Sequence, residues 1–171
     1  MSVKRILGID PGLNVTGYAV IVPARPHSRV IEAGVIRPGS SDLPMATRLD
    51  RLHRGILELI EALSPDCMAM EQVHSQPKFP QTAILMAHAR GVIMLAAAQK
   101  GLSVEGYPAA RIKKTLTGSG RAPKEQMQRA IQVELGLDRL PEPHDVADAC
   151  AIALCHGHTV ENARLTSGLG L

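Results

Sequence analysis

The segment Arg5 to Val20, RILGIDPGLNVTGYAV, constrains the fold of this chain more than any other. A short apolar run ends at Asp10, a Pro-Gly pair interrupts it, and a second β-rich run begins at Thr16. The pattern predicts a hairpin of two strands with Asp10 at its open end. An ionised carboxylate at the end of a buried strand is costly unless a cation, a donor or water meets it. Our hypothesis is that a metal ion meets Asp10; ordinary Asp-Pro-Gly turn chemistry is the alternative.

The composition indicates one globular domain. The chain has 171 residues, of which 45% are apolar, and it has no long linker rich in Gly, Ser or charge. We assign residues 1–160 to the domain and expect residues 161–171 to form a flexible tail. The formal charge of +3 permits a nucleic-acid partner without requiring one.

The cysteines and the apolar segments predict a cytoplasmic protein. Cys67, Cys150 and Cys155 lie in apolar runs without metal-binding spacing, which indicates buried, reduced thiols. The longest apolar segment, residues 83–98, is interrupted by a histidine and an arginine and is short for a bilayer span. The N-terminal run is cut too early to be a signal peptide.

The β-rich runs predict a five-stranded mixed sheet. Residues 28–37 form a third strand, and three consecutive antiparallel strands are the simplest arrangement. Residues 66–73 and 102–107 read as two more short strands, each bounded by proline. With helices between and after these strands, the fold class is α/β.

Four helices are expected around this sheet. A long amphipathic helix, capped by Ser41-Asp42, ends before Pro65. The helix over residues 81–100 is apolar nearly all round, so it is either buried on more than one side or forms a subunit contact. Further helices are predicted over residues 123–135 and 144–156.

Three more acids fall where they can join Asp10. Glu71 ends the fourth strand, as Asp10 ends the first. Asp145 and Asp148 stand three residues apart in the first turn of the last helix, so their Cβ atoms lie roughly 5–6 Å apart on one face. Alternatively, this pair serves only as a partner of the helix dipole. Four carboxylates in one pocket repel one another, and divalent cations relieve that repulsion.

The ligand type predicts the chemistry. Ligands that are all oxygen favour Mg²⁺ or Mn²⁺ over zinc. Two such ions roughly 3.5–4 Å apart activate a water molecule and stabilise the leaving oxygen of a phosphodiester. We therefore infer two cations per active site and hydrolysis of a nucleic-acid backbone.

Three motifs in order, GIDPGLNVTGYAV, MEQV and HDVADACAIA, resemble the RuvC family of bacterial Holliday junction resolvases through nearly the whole chain. The resemblance implies a ribonuclease H-like fold, a homodimer, and paired nicks of opposite strands at a four-way DNA junction. It also implies RuvA and RuvB as branch-migration partners. Carried over by position, the acidic tetrad is Asp10, Glu71, Asp145 and Asp148, with Asp10 bridging the two metals.

One departure from the family concerns the residue that opens the junction. His74 stands three residues after Glu71, where some relatives carry an aromatic wedge. His74 can still stack or bind phosphate, and Phe79 is the candidate for an apolar wedge. Phe79 alternatively anchors a loop bounded by prolines.

Basic residues gather between residues 100 and 129, where the chain has seven Lys or Arg. Such a density suits a surface that binds phosphates without reading sequence, although a solvated helix face is the alternative. Lys124 is expected near the scissile phosphate, and His144 either contacts a water at the metals or is a surface residue. The predicted DNA contacts are His74, Lys78, Phe79, Arg111, Lys113, Lys114, Arg121 and Lys124.

Three other functions fit part of the pattern. An actin-like sugar kinase has a similar first phosphate loop but needs two such domains. A non-catalytic junction-binding module would not need the four acids. A ribonuclease H-like nuclease acting on RNA or RNA–DNA hybrid would use the same two-metal chemistry, so the carboxylates alone do not separate it from a junction resolvase.

Overall fold

The computed structural model describes residues 5–72 and 80–168, which form one five-stranded sheet with helices on both faces. The sheet order is β3-β2-β1-β4-β5. The strands are β1 (Ile6–Asp10), β2 (Thr16–Val22), β3 (Arg29–Ile36), β4 (Cys67–Glu71) and β5 (Val104–Tyr107). The helices are α1 (Met45–Leu63), α2 (Pro80–Gln99), α3 (Ala109–Thr117), α4 (Lys124–Leu135) and α5 (His144–Gly168).

The sheet is mixed, as predicted. β2 pairs antiparallel with both β1 and β3, whereas β4 pairs parallel with both β1 and β5. Each parallel connection crosses over through a helix, as parallel pairing requires. The short turn after Asp10 is followed at once by β2, and Asp10 pairs with Gly17.

Alternation of side chains along the strands divides the core in two. Leu7 and Ile9 of β1 join Met68 and Met70 of β4 in the cluster covered by α1 and α2. Ile6 of β1 and the alternate residues Cys67 and Ala69 of β4 face the opposite cluster, to which α5 contributes most of the residues. This period-two pattern fixes which face each strand-end residue presents.

Helix α1 begins later than predicted. Ser41-Asp42 does not cap it; α1 starts at Met45 with Pro44 in the N-cap position and no side-chain cap. Asp42 is instead used in a local turn, where its carboxylate accepts a hydrogen bond from the Ser40 hydroxyl at 3.0 Å and its N–H donates to the same Oγ at 3.2 Å. Short polar side chains commonly compete in this way with helix formation.

Helix α2 is less buried than its apolar sequence predicted. One face, with Ala89, Ile93 and Ala96, is fully buried, but Ile84 and Leu95 are 55% and 54% exposed. Residues Gln81–Gln99, a longer span than the predicted apolar segment of residues 83–98, form a helix that could cross a bilayer by length and composition alone. Only 22% of that segment is buried within the domain.

Two features of the C-terminal half were not anticipated. Residues 109–117 form helix α3, where the sequence indicated only a basic, glycine-punctuated segment. Helix α5 continues to Gly168 instead of ending at His156. The domain boundary proposed at residue 160 therefore falls inside a helix, and the flexibility of residues 161–171 stays a prediction.

The three cysteines are buried, as predicted, and none forms a disulfide. Cys67 lies 3.4 Å from Nε2 of His156, a buried residue of α5. The other ring nitrogen, Nδ1, is 2.8 Å from the Tyr107 hydroxyl. This buried chain of polar groups ties β4 and β5 to α5.

Candidate active site

Asp10 and Glu71 lie side by side at one edge of the sheet. Asp10 is the last residue of β1 and Glu71 the last residue of β4. The two strands are parallel and Ile9 pairs with Met70, so the residues that follow are neighbours. Because Ile9 and Met70 point into the α1–α2 core, Asp10 and Glu71 point toward α5.

Two glycines allow α5 to rest directly on the sheet. A Cβ on Gly8 would lie 2.2 Å from the carbonyl oxygen of Ala149, and one on Gly17 would lie 2.0 Å from that of Asp145. Real Cβ atoms do not approach backbone so closely, so no side chain fits at either position. Since Gly17 pairs with Asp10 across the hairpin, the first turn of α5 is brought beside Asp10.

The charges of three other acids act on Asp10. The pKa of Asp10 is raised from 3.8 to about 8. Burial of the carboxyl is the largest cause, followed by repulsion from Asp148, Glu71 and Asp145. The structure thus brings together all four members of the predicted tetrad.

Neighbouring charges shift the pKa of Asp148 in both directions. Although its side chain is exposed, partial desolvation is the largest cause that raises its pKa, and the charge of Asp145 raises it further. Lys124 and His144 act in the opposite direction. The Lys124 ammonium lies 3.4 Å from Nε2 of His144; an ammonium can only donate, so in this contact Nε2 accepts.

The pocket fits a hard divalent cation. Its donors are carboxylate oxygens. Burial and the charges of three neighbouring acids raise the pKa of Asp10, and a bound cation would favour its ionised form. No three His, Cys, Asp or Glu side chains in those ranges are drawn together as in a closed metal cage. An ion that keeps several of its own waters, as Mg²⁺ does, needs no such cage.

A basic surface borders this edge. Arg111 and Lys114 of α3 and Arg121 of the following loop are exposed, whereas Lys113 is half-buried. Lys124 opens α4 close to Asp148. The predicted contacts His74, Lys78 and Phe79 lie outside the described residues.

Comparison with known proteins identifies the family. A family model described as "Crossover junction endodeoxyribonuclease RuvC" matches residues 6–156. The chain belongs to the RuvC family. Curated RuvC proteins of Rhodopirellula baltica and Moorella thermoacetica are 51% and 45% identical to it. The alignments cover 98% of this chain and 93% of the first relative, and 88% of this chain and 89% of the second.

Solved RuvC structures share the fold. Thermus thermophilus RuvC superposes with a TM-score of 0.86 at 29% identity, covering 93% of this chain and 96% of that one. The structure described as T. thermophilus RuvC in complex with Holliday junction substrate gives 0.85 at 30% identity, covering 94% and 96%. The ribonuclease H-like fold implied by the resemblance is confirmed.

The sequence reading of this RuvC-family site missed its packing residues. Gly8 and Gly17 carry no side chain, but their close contacts with α5 determine where Asp145 lies relative to Asp10. A signal was present, because a glycine inside a strand often marks the close approach of another backbone. Helix α3, which carries three of the predicted basic contacts, was also missed.

Proposed function

We propose that this chain is a divalent-metal-dependent endonuclease that cuts four-way DNA junctions with paired nicks. The observation that carries the proposal is the group of four carboxylates formed by Asp10 and the three acids around it, in a chain that belongs to the RuvC family. Family membership makes the chain a crossover junction endodeoxyribonuclease. The site residues, the metals and the assembly described below are the proposed part.

Asp10, Glu71, Asp145 and Asp148 would hold the cations, either Mg²⁺ or Mn²⁺, two in each site. When bound, such ions supply an activated water and neutralise charge that develops on the phosphate. The protein contributes rigid placement: two acids stand on adjacent strand ends, and two on a helix that the glycines hold against the sheet. Carboxylates fixed before the substrate arrives need little reorganisation during the reaction.

Lys124 serves as a catalytic residue in this proposal. Its charge lowers the pKa of Asp148, which places the ammonium at the edge of the acidic pocket. An ammonium there favours the ionised state of Asp148 and attracts the phosphate to be cut. Since its contact with His144 uses a single donor, its other N–H groups can reach a phosphate oxygen.

The basic surface would bind the arms of the junction. Arg111, Lys113, Lys114 and Arg121 follow one another along α3 and the loop before α4, next to Lys124. Contacts of this kind position the backbone without reading bases. His74, Lys78 and Phe79 complete the proposed contacts, with His74 or Phe79 opening the junction centre.

We also propose that the protein is a homodimer joined through α2. Ile84, His88, Gly91, Leu95 and Ala98 are exposed and recur at alternating spacings of four and three residues, which forms one stripe along the helix. Such a repeat is typical of helix–helix packing. Added Cβ atoms on Gly91 would meet nothing within 4 Å, so a second helix can approach closely. A dimer would carry two sites for two symmetric cuts.

The partners and location follow from the family. Branch migration by RuvA and RuvB would supply the junction, and the cytoplasm is where bacterial chromosomal junctions form. An RNA–DNA hybrid is the alternative substrate, since the same carboxylates would serve it. The binding-module alternative would leave the four acids without a use.

The test is a cleavage gel with end-labelled four-way junction, duplex and RNA–DNA hybrid of matched sequence, in Mg²⁺ or Mn²⁺. We expect symmetric nicks at the junction only, and Asp10→Asn should bind the junction but not cut it. Full cutting by Asp10→Asn would contradict the metal-site assignment. Cutting of the hybrid alone would show that the substrate is an RNA–DNA hybrid and not a four-way junction. Binding of the junction without cutting in either metal would support a non-catalytic binding module.

A further inference from the structure

The turn between β1 and β2 is held by an arginine from the other side of the sheet. Arg48 of α1 is only 5% exposed, yet its guanidinium reaches the turn that directly follows Asp10. Its Nη2 donates to the Leu13 carbonyl at 3.0 Å and to Oδ1 of Asn14 at 2.6 Å. Among residues 5–72 and 80–168, no group forms a hydrogen bond with Nε of Arg48.

The rest of the turn is already fixed without Arg48. Leu13 is buried in the α1–α2 core. The buried Thr16 hydroxyl donates to the Gly12 carbonyl at 2.6 Å and lies 3.2 Å from the Gly12 N–H. Burying a guanidinium is costly. Besides its hydrogen bond to the Leu13 carbonyl, Arg48 holds one exposed side chain, that of Asn14.

The chemistry of the contact fixes the orientation of the Asn14 amide. A guanidinium has only donors, so the amide atom that faces it must be the oxygen. Nδ2 with its two N–H donors therefore points away from Arg48. Within the described residues no hydrogen bond from Nδ2 is formed, and Asn14 is exposed at the same end of β1 as Asp10.

We propose that Asn14 donates a hydrogen bond from Nδ2 to a phosphate oxygen of the strand being cut, and that Arg48 is the positioning residue that aims it. A neutral donor suits the rim of an acidic pocket, because it binds phosphate without pairing with the carboxylates that hold the cations. The short contact with a charged donor also polarises the amide, which strengthens its outward N–H groups. This inference rests on the proposed junction-cutting function.

The first experiment compares Asn14→Ala with wild type on junctions that carry single methylphosphonates near the cut. Asn162→Ala is the matched control, because Asn162 is exposed far along α5. A hydrogen bond to a charged group corresponds to roughly tenfold in affinity. We expect Asn14→Ala to raise KM about tenfold with a smaller change in kcat. Its Tm should fall, because the buried Arg48 loses a hydrogen-bond partner. A methylphosphonate at one position should weaken cleavage by wild type about tenfold and should weaken cleavage by Asn14→Ala much less.

The second experiment tests the role of Arg48 through a double-mutant cycle. Both contacts come from Nη2 at the end of the guanidinium. Arg48→Lys keeps the charge, but the lysine side chain is shorter, so its ammonium does not reach the position of Nη2. We expect Arg48→Lys to weaken cutting as Asn14→Ala does, and the double variant to be no weaker than either single variant. Additive losses would contradict positioning through Asn14.

Failure of this inference is distinguishable from failure of the proposed function. If wild type cuts the junction and Asn14→Ala keeps its KM, the role of Asn14 is wrong while the function stands. The proposed role of Asn14 is also wrong if methylphosphonates at every position weaken cleavage by wild type and by Asn14→Ala to the same extent. If wild type leaves the junction intact in both metals, the proposed function fails first, and the inference with it.

Discussion

Gly17 lies directly against Asp145, with room for no side chain between the strand and the helix. A Cβ at residue 17 would stand 2.0 Å from the Asp145 carbonyl oxygen and 2.9 Å from its Cβ. Gly17 also pairs with Asp10 in the hairpin. One glycine therefore determines the distance between a strand-borne acid and a helix-borne acid of the same pocket.

Replacing Gly17 by alanine should displace the start of α5 and separate Asp145 from Asp10. We expect cleavage of the junction to fall by at least about 100-fold, because small displacements of catalytic groups have effects of that order. The measurement is kcat/KM together with Tm. Gly55→Ala is the control, since the added methyl there meets only side-chain atoms of Ile36, the nearest at 3.1 Å. Near-normal cutting by Gly17→Ala would mean that this contact does not position the site.

The stability of the metal-free protein should fall as pH rises. Folding raises the pKa of Asp10 from 3.8 to about 8, so between these values the unfolded chain ionises Asp10 more readily than the folded protein does. The contribution of Asp10 to the free energy of unfolding is therefore fully present below about pH 4 and is lost as the pH rises through about 8. We expect the Tm difference between Asp10→Asn and wild type in EDTA to grow by about 5–10 °C from pH 5 to pH 8.

A divalent cation should cancel this effect, because it favours the ionised carboxylates. Adding Mg²⁺ at pH 8 should raise the Tm of wild type more than that of Asp10→Asn. A wild-type Tm that is insensitive to pH in EDTA, relative to Asp10→Asn, would show that burial and the neighbouring acids do not raise the pKa of Asp10 as described.

Removal of Lys124 should weaken both catalysis and the metal site. Its ammonium lowers the pKa of Asp148, so in Lys124→Ala the pKa of Asp148 should rise and protons should compete better with the metal. We expect kcat to drop about 100-fold or more and the Mg²⁺ concentration for half-maximal cutting to increase, with the increase larger at pH 6 than at pH 8. Lys124→Arg should restore most of the metal affinity. An unchanged kcat in Lys124→Ala would show that Lys124 is not a catalytic residue.

A charge in the middle of the α2 stripe should separate the proposed dimer. Leu95 is 54% exposed, and Leu95→Glu would bury a carboxylate against the same stripe of a second copy. Sedimentation velocity should show a monomer that makes unpaired nicks. Val133→Glu, which changes an apolar residue that is 70% exposed on α4, should remain dimeric. A Leu95→Glu protein that sediments as the wild type does would place the interface elsewhere.

Several features of the site could be read from the chain without its structure. Asp10 and Glu71 each end a short apolar run, and alternation along a strand is strong enough to place both on one face. Asp145 lies in the first turn of α5 and Asp148 follows three residues later, and helical geometry places residues with that spacing on one face. These are local rules, so the identity of the four acids and the α/β class followed from sequence.

The sequence alone determined the strands, their order of appearance and the acids at their ends, because period, turn chemistry and charge act over a few residues. The tertiary structure decided how closely α5 approaches Gly8 and Gly17, that α2 leaves one stripe uncovered, and that Arg48 holds Asn14. Each of these depends on atoms far apart in the chain that meet only when the layers pack. Packing distances and the exposed part of an apolar helix are properties of that assembly. A glycine inside a strand signals that another backbone comes close, but it does not tell which backbone or how close.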